Sequence, residues 1–587
     1  MHLLSYPRES VSLDGTWQAI PDQYEMYDGY FEDFVDDDDE DNPAGFSPKS
    51  IYELGASEQE GMPVDFNVHD GYSVDIPASL GEEITEFRHY EGWVWFAKTF
   101  DWDADTAGDS SHLKFGAINY KAEVWLNGER LGEHEGGFTP FSFDVTDELV
   151  DGENLLVVKV DNKRYDDGIP NASTDWFNFG GINRSVEVVS VPETYVRNYK
   201  LETELSEDSV DLHIDAWVEN AVDDTEVTAS FPKLDVSIEL TADDDGVFTG
   251  EATLSRDDVT LWSPSDPQLY TVRVAADDDM IEDEVGLREI DVVNGNLLLN
   301  GEEIWLRGIA LHEESAGKGR ALNLEDVEER FEWITELGCN YARLAHYPHT
   351  EAMARKADEE GILLWEEVPA YWDINFGDEE IQELYRQQLR ELIQRDWNRA
   401  SVALWSIANE TDHKDDTRNE VLPEMADYVR ELDDTRLVTA ACFVDETDDG
   451  ILLKDPLQEH LDVVGINQYY GWYYGDADDM EQFQENPDGT PVLISETGGG
   501  AKWGHHGDED ERWTEEFQAA IYRGQTDAID GNDQIAGMAP WILFDFRAPM
   551  RQNDHQRGYN RKGLVDQHGR KKQAFHVLRE FYQKKRS

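Results

Sequence analysis

The chain contains little cysteine, and this scarcity excludes one class of fold. Its 587 residues include two cysteines, Cys339 and Cys442, which is too few for the disulfide framework of a small secreted domain. Each lies in an apolar run, Gly-Cys-Asn-Tyr-Ala and Ala-Ala-Cys-Phe-Val. We therefore expect two buried free thiols rather than a disulfide or a redox pair.

Long hydrophobic runs are also missing from the sequence. No segment reaches the roughly 18 apolar residues that a membrane-spanning helix requires. The first residues, Met-His-Leu-Leu-Ser-Tyr-Pro-Arg, lack the basic and apolar regions of a secretory leader. Together these features predict a cytoplasmic protein that does not insert into membranes.

Positive charge is scarce, and lysine is especially rare. The chain has 48 Lys and Arg, of which 18 are Lys, against 129 Asp and Glu, so its net charge is −81. Nucleic acids and anionic membrane surfaces are therefore poor partners. Disorder is one source of such a charge, but the 39% hydrophobic and 11% aromatic residues favour packed cores. We interpret the charge as an acidic surface suited to high salt, which predicts a halophilic protein that loses structure in low salt.

Three successive sequence patterns predict a multidomain chain. Residues 1–192 have short alternating strands with Gly, Asn and Asp turns, typical of a β-sandwich, and an acidic stretch, 22–70, that we interpret as a surface insertion. Residues 193–292 repeat the all-β pattern at the size of one immunoglobulin-like sandwich. From 293 to 587, strands alternate with amphipathic helices, which predicts a C-terminal (β/α)8 TIM barrel.

Eight apolar segments of the C-terminal region are candidate barrel strands. They are Trp305–His312, Cys339–His346, Ile362–Pro369, Ser401–Glu410, Arg436–Val444, Val463–Tyr470, Pro491–Glu496 and Gly537–Asp545. Most of them end in polar or aromatic residues, namely His312, Glu313, Arg343, His346, Glu366, Glu367, Asn409, Glu410, Asn467, Tyr469, Tyr470, Glu496, Trp541 and Asp545. Buried charge is costly without partners, so this density favours a binding or catalytic site at the C-terminal face over a structural cluster.

Two of these carboxylates suggest glycoside hydrolysis. Glu410 ends the apolar run Val-Ala-Leu-Trp-Ser-Ile-Ala-Asn, and Glu496 ends the run Val-Leu-Ile-Ser. In such chemistry one carboxyl must be protonated to assist the leaving oxygen, while the other must be ionised to attack the anomeric carbon. Asn409, which precedes Glu410, could hold the sugar 2-hydroxyl. A metal site is the competing use of Glu and His clusters, but no close His-x-His or Glu-x-x-His spacing supports one, and we expect no metal.

The two segments resemble the signature segments of glycoside hydrolase family 2, the family of β-galactosidases and β-glucuronidases. Trp405-Ser-Ile-Ala-Asn-Glu410 and Ile494-Ser-Glu496 carry this resemblance, and Val124–Gly128, Glu133–Pro140 and Phe177–Ser185 resemble the family's N-terminal sugar-binding jelly roll. The resemblance implies a retaining mechanism with Glu410 as acid/base and Glu496 as nucleophile. It also implies that Tyr469 binds the nucleophile and that a further set lines the pocket: His312, Arg343, His346 and Trp541.

A second set of motifs bears on which sugar is bound. Asn467-Gln-Tyr-Tyr-Gly-Trp-Tyr473 resembles the β-glucuronidase form of this loop, and Asn560-Arg-Lys562 matches the Asn-x-Lys element that holds a uronic acid carboxylate in those enzymes. A lysine charge with an amide donor suits a carboxylate. Asp175 lies where these enzymes extend a jelly-roll residue into the active site. A surface role for Lys562 in a basic tail is the simpler alternative.

The resemblance therefore predicts a retaining exo-β-glucuronidase that needs no cofactor. A β-galactosidase or β-galacturonidase on the same scaffold stays open, because some members that do not act on uronates carry a similar Asn-x-Lys-Gly segment. A carbohydrate-binding protein without catalysis is a third hypothesis, which the intact pair of Glu410 and Glu496 disfavours. The expected partner is a glycoside or oligosaccharide, and a homo-oligomer would fit the family's habit of forming dimers and tetramers.

Overall fold

The structure is a computed structural model that describes residues 3–4, 8, 10–23, 71–104, 108–447, 450–482 and 489–586. The proposed acidic insertion at 22–70 lies outside these residues, except for its first two positions. The described residues build two β-sandwiches followed by a barrel, which agrees with the predicted fold class.

The first sandwich packs a larger sheet against a smaller one. Trp17, Phe96 and Val158 are among the buried side chains between the sheets, and successive side chains of each strand point to opposite faces of its sheet. The larger sheet has the order Tyr72–Ile76, Gly15–Asp22, Trp93–Trp102, Gly152–Asp161, Lys121–Leu126 and Glu129–Glu135. The smaller one has the order Ser10–Ser12, Val186–Val191, Ser110–Phe115 and Phe141–Asp144. Ile118–Asn119 pairs with Gly181–Ile182, and short helical turns lie at Leu80–Glu83 and Thr85–Phe87.

The second sandwich is antiparallel and has its own apolar core. Tyr199, Phe231 and Val274 lie in this core and are fully buried. The strands follow the order Tyr195–Leu205, Ser209–Glu219, Phe248–Ser255, Val236–Ala242, Val227–Phe231, Tyr270–Ala276 and Asp279–Val285. Single 3-10 turns lie at Pro232–Leu234 and Arg256–Asp258, and the strands Ile290–Val293, Asn296–Leu299 and Glu302–Glu303 lead into the barrel.

The barrel is a closed parallel sheet surrounded by helices. Leu306–Arg307 pairs with Ile535–Met538 and Ala310–Leu311 pairs with Tyr341–Leu344, so two pieces of one interrupted strand close the ring. The remaining strands are Leu363–Glu367, Val402–Asn409, Leu437–Cys442, Val463–Asn467 and Val492–Glu496. The helices are Leu324–Leu337, Glu351–Glu360, Glu379–Asp396, Asp416–Leu432, Glu515–Asp530 and Gln573–Arg586, with 3-10 turns at Pro456–His460 and Ala477–Gln482. The hairpins Val444–Thr447 with Gly450–Leu453 and Phe546–Arg547 with Tyr559–Asn560 lie beyond the strand ends.

The last barrel strand differs from its prediction. We expected Gly537–Asp545, but the regular strand is Ile535–Met538. Pro540 has no amide hydrogen for the ladder. The amides beyond it donate to separate segments of the chain: Trp541 N to Thr497 O, Leu543 N to Ala310 O and Asp545 N to Val565 O. Apolar composition alone did not distinguish the strand from the loop that carries Trp541.

The two cysteines agree with the prediction, because both are free and buried. Burial raises the pKa of each thiol above its ordinary value, which keeps the thiols protonated and unreactive. Within the described ranges, no helix is long and apolar enough to cross a membrane.

The first sandwich is fastened to the barrel by charged contacts beside the C-terminal face. Arg184 donates to Glu313 at 2.9 Å and to the carbonyl of Pro348 at 2.8 Å, and all three groups are buried. Arg547 forms an ion pair with Glu82, which joins the hairpin after the last strand to the sandwich. These contacts fix the loops of the first sandwich over the strand ends.

Glu314, close to this junction, gives a prediction for the pH dependence of stability. Burial raises its pKa to about 7, although its carboxyl accepts two bonds from the Arg547 amide. In the folded protein Glu314 therefore keeps a proton that it loses in the unfolded chain near its ordinary pKa. The contribution of Glu314 to the free energy of unfolding is fully present at low pH and falls as the pH rises towards 7. Glu314→Gln should gain roughly 2 kcal/mol relative to wild type at about pH 8 but little at about pH 4. Urea unfolding of both proteins at the two pH values measures this difference, and an equal difference at both would contradict it.

Candidate active site

Glu410 lies directly after the strand Val402–Asn409, at the C-terminal end of the barrel. Its backbone has φ +51°, in the left-handed region that non-glycine residues rarely adopt. The turn directs the carboxyl to two donors: Trp372 Nε1 at 2.9 Å from one oxygen and Asn467 Nδ2 at 3.0 Å from the other. The side chain is thus held in one orientation while its residue remains partly exposed to the cavity.

Glu496 ends the strand Val492–Glu496 and is 6% exposed. Arg343 Nη1 donates to its Oε1 at 3.0 Å, and the Tyr469 hydroxyl donates to its Oε2 at 2.5 Å. Burial raises the pKa of Glu496, and this effect is opposed by Arg343, His346 and the Tyr469 hydrogen bond. Burial and the nearby Glu496 also raise the pKa of Tyr469 well above its ordinary value, so the phenol is a neutral donor.

One chain of hydrogen bonds connects the two carboxyl groups. Asn467 bridges Glu410 and Asn409, with its Nδ2 at 3.2 Å from Asn409 Oδ1. Arg343 Nη2 donates to that same oxygen at 2.7 Å, while Nη1 of this guanidinium donates to Glu496. The ends of four strands therefore form a single polar network under the cavity.

A lysine and a tyrosine form a second wall of the cavity. Lys562 is 4% exposed, and its Nζ donates to the Tyr473 hydroxyl at 2.8 Å. The ammonium also lies 5.0 Å from the ring centroid of Tyr469. Burial acts to raise the pKa of Tyr473, but Lys562 and Arg551 outweigh it, so the pKa lies below its ordinary value. Asn560 is buried, and its Oδ1 accepts from the Lys562 amide at 3.2 Å, which holds the segment in place.

The first sandwich contributes Asp175 to this wall. Arg551 donates to it through Nε at 2.9 Å and also through Nη2, and Asn560 Nδ2 lies 3.3 Å away. Arg551 also donates to the Tyr473 hydroxyl at 3.2 Å. Asp175 and Arg551 form an ion pair, in which the carboxylate neutralises the arginine charge. The ion pair also joins the first sandwich to the barrel at the edge of the cavity.

The cavity between these walls has a volume of about 440 Å³. Nine of the predicted site residues line it: Asp175, His346, Glu410, Asn467, Tyr469, Tyr473, Glu496, Trp541 and Lys562. Four others lie behind it. Arg343, Asn409 and Asn560 act through the contacts described above, and His312 bonds Tyr347 at 3.1 Å and packs 5.1 Å from Trp541. Burial and the neighbouring His346 lower the pKa of His312 well below its ordinary value, so it supports the wall as a neutral ring.

Several residues of the site were absent from the predicted set. Trp372 holds Glu410, Arg551 holds Asp175, Tyr371 and Phe443 line the cavity, and Glu367 binds Arg343 and His346. Glu367 was recognised as a strand end but not as part of the site. Tyr371 and Trp372 follow closely after the barrel strand Leu363–Glu367. Their position near a strand end is the same signal that placed Glu410 and Glu496 in the site.

The arrangement suits acid-assisted displacement at a sugar carbon. Glu410 and Glu496 face one cavity from different strands, each is fixed by donors, and aromatic rings surround them for stacking against a sugar face. Across the described ranges, no group of three or more His, Cys, Asp or Glu is placed to hold a metal ion. A barrel with two carboxyl groups set in this way at its C-terminal face defines a glycosidase.

Comparison with known proteins gives the family. The TIM barrel domain of glycosyl hydrolases family 2 matches residues 290–586, its sugar-binding domain matches 31–192, and a third family 2 domain matches 194–288. The chain belongs to glycosyl hydrolases family 2, and it is an enzyme that acts on carbohydrate. This finding confirms the predicted family and fold class.

The relatives and solved structures that it resembles cover nearly the whole chain. A β-glucuronidase of Streptococcus agalactiae is 29% identical over an alignment of 563 residues, which covers 86% of this chain and 90% of the relative. The structure of Bifidobacterium dentium β-glucuronidase complexed with coumarin-3-O-glucuronide aligns with a TM-score of 0.85 at 26% identity, over 99% of both chains. A β-galacturonidase of Eisenbergiella tayi shares the fold, with a TM-score of 0.80 at 23% identity over 98% of this chain and 96% of that one.

Proposed function

We propose that this enzyme is a retaining exo-β-glucuronidase. The observation that carries the proposal is Lys562, a buried ammonium that faces the catalytic cavity without a carboxylate partner among the described residues. A buried charge is costly unless a counter-charge is present. A substrate that brings its own carboxylate supplies that counter-charge, and a uronic acid is such a sugar.

The two arginines near Lys562 differ from it because each has a carboxylate partner. Arg551 is paired with Asp175, and Arg343 is paired with Glu367 and Glu496. Lys562 and Arg551 both donate to the Tyr473 hydroxyl, so two positive groups converge on one oxygen atom. We infer that the substrate carboxylate binds beside this oxygen, with Lys562 as its main partner and Tyr473 as a further contact.

The proposed mechanism has two steps, and both Glu410 and Glu496 take part in each. Glu496 attacks the anomeric carbon while the bond to the leaving oxygen breaks, and Glu410 gives its proton to that oxygen. Glu410 then takes a proton from water, whose oxygen attacks the same carbon and releases Glu496. Arg343 and the Tyr469 hydroxyl hold the attacking carboxylate in place before the first step.

The names of the relatives support the sugar assignment, since those at 25–29% identity over most of this chain include bacterial and mammalian β-glucuronidases. A β-galacturonidase is the second candidate. It is favoured by the same observation, because Lys562 would serve the carboxylate of either uronic acid. A β-galactosidase would leave the lysine without a counter-charge.

The proposal is tested with three p-nitrophenyl glycosides, the β-glucuronide, the β-galacturonide and the β-galactoside, assayed at about 2 M NaCl. We expect the highest kcat/KM with the glucuronide. A preference for the galacturonide would keep the role of Lys562 but change the sugar. A preference for the galactoside would overturn the uronate assignment and leave the two carboxylates in their roles.

We further propose that the enzyme is halophilic. The support is the net charge of −81, which repels itself unless salt screens it. The Debye length falls from about 10 Å at 0.1 M salt to about 3 Å at 1 M. Lowering NaCl from about 2 M to about 0.05 M should therefore reduce both activity and near-ultraviolet circular dichroism together. Equal activity and equal spectra at the two concentrations would refute the proposal, and a series in sucrose controls for osmotic effects.

A further inference from the structure

Glu367, a carboxylate outside the catalytic cavity, is connected to the nucleophile by its hydrogen bonds. It ends the strand Leu363–Glu367 and is 1% exposed. Arg343 Nη2 lies 3.0 and 3.2 Å from its two oxygens, and Trp365 Nε1 donates to Oε2 at 2.8 Å. His346 Nδ1 lies 2.9 Å from Oε1. All three neighbours are buried, so these contacts are not weakened by solvent.

The Arg343 guanidinium is shared between two carboxylates. Its Nη2 faces Glu367, whereas its Nη1 faces Glu496 at 3.0 Å and the carbonyl of Ser495 at 3.1 Å. Burial acts to raise the pKa of Glu367, but Arg343 and His346 outweigh it and lower the pKa to about 2. Glu367 is thus ionised at every working pH and takes up part of the arginine charge that would otherwise act on Glu496.

Glu367 also fixes the orientation of His346. An ionised carboxylate can only accept a hydrogen bond, so His346 Nδ1 carries the proton of their contact. The other ring nitrogen, Nε2, then faces the cavity at 3.7 Å from Glu496 Oε1, while Trp541 stacks on the ring at 4.8 Å. The ring is held on one side by charge and on the other by stacking.

We infer that Glu367 is a positioning residue for the nucleophile: it balances Arg343 and orients His346, so that Glu496 is held in place without being over-stabilised as an anion. The inference rests on the proposed role of Glu496 but not on the identity of the sugar. The groups that face Glu496 are Arg343, His346, Tyr469 and Glu410, and those that face Glu367 are Arg343, His346 and the Trp365 indole. Arg343 and Glu367 are the ionised members of this set that lie behind the cavity wall, and Glu367 is the anion of the two.

The test is the pH profile of kcat/KM for Glu367→Gln, measured with the p-nitrophenyl glycoside that the wild type hydrolyses fastest. Removal of the negative charge leaves Arg343 to act on Glu496 alone, which favours the ionised form of the nucleophile. The acid limb should move to lower pH by on the order of one unit. The more stable carboxylate attacks less readily and is less well aligned, so kcat at the optimum should fall on the order of tenfold to 100-fold.

Glu366→Gln is the matched control on the same strand. Its carboxyl lies towards Arg395 and Asp396 of the surrounding helix, at 3.9 Å from Arg395, and not towards the cavity. This variant should keep the wild-type acid limb. A shift of the limb in Glu367→Gln but not in Glu366→Gln supports the inference, whereas an unmoved limb in folded Glu367→Gln, as judged by circular dichroism, overturns it.

Glu367→Asp provides a second variant if the glutamine protein does not fold. Aspartate keeps the charge but withdraws it from Arg343 by one methylene, so the limb should move in the same direction by a smaller amount and kcat should fall. Wild-type kcat and an unmoved limb in the aspartate variant would also overturn the inference. Glu496→Gln is assayed in parallel: if it stays active, the nucleophile assignment has failed, and that failure is distinct from an error about Glu367.

Discussion

Glu496→Gln is expected to lower kcat on every β-glycoside substrate by on the order of 10⁴-fold or more. Glutamine keeps the shape of the side chain and can still contact Arg343 and Tyr469, but its amide cannot attack the anomeric carbon. Substrate affinity should change little, because the cavity walls are intact. Steady-state kinetics gives the loss of kcat, and calorimetric titration of the inactive protein with the substrate gives the retained binding.

Glu410→Gln serves as the matched comparison for this variant. Loss of the proton donor should matter most when the leaving oxygen is strongly basic, so an alkyl glycoside should suffer far more than a p-nitrophenyl glycoside. Loss of the nucleophile should affect both substrates equally. If Glu496→Gln showed the leaving-group dependence and Glu410→Gln did not, the two roles would be exchanged.

Lys562→Met is expected to remove the preference for uronides. Methionine has a similar length and fills the space beside the Tyr469 and Tyr473 rings, but it offers no charge to a carboxylate. A hydrogen bond to a charged group contributes about 2 to 3 kcal/mol, so kcat/KM for the glucuronide should fall on the order of 100-fold. The rate on the galactoside should stay near its wild-type level, since that sugar has no carboxylate to bind.

Lys571→Met controls for a general loss of positive charge. Lys571 forms an ion pair with Glu336 on the outside of the barrel and does not line the cavity. Its replacement should leave the ratio of glucuronide to galactoside activity unchanged. A similar fall in both lysine variants, or no change of the ratio in Lys562→Met, would show that Lys562 does not hold the substrate carboxylate.

The polar residues at the ends of the barrel strands could be predicted from the sequence, because the pattern that marks them lies within each strand. Val402–Asn409 and Val492–Glu496 are continuous apolar runs that stop at polar residues, and parallel strands bring such residues to one face. Position in the strand therefore predicted that Glu410 and Glu496 would lie near each other. The resemblance to the family added the roles, which sequence periodicity alone does not give.

Side-chain contacts between segments that are distant in the sequence could not be predicted from such local patterns. Arg551 meets Asp175 across 376 positions of the chain, and neither lies at a strand end. Trp372 donates to Glu410, and both residues adopt left-handed backbone conformations, at φ +56° and +51°, which the residue types do not favour. Glu367 appeared among the predicted strand ends. That Arg343 is shared between Glu367 and Glu496 follows only from the distances of its two terminal nitrogens to these carboxylates. Such effects depend on side-chain direction, which composition and spacing do not specify.

The most direct test of the proposed function is covalent capture of the nucleophile. The enzyme would be incubated with 2-deoxy-2-fluoro-β-glucuronyl fluoride. The fluorine at carbon 2 slows both steps, while the activated fluoride leaving group speeds only the first, so the covalent intermediate accumulates. After proteolysis, mass spectrometry should find one glycosyl group on the peptide that contains Glu496, at that residue. Labelling at Glu410, or full turnover without any labelled peptide, would contradict the account of a retaining uronide hydrolase with Glu496 as its nucleophile.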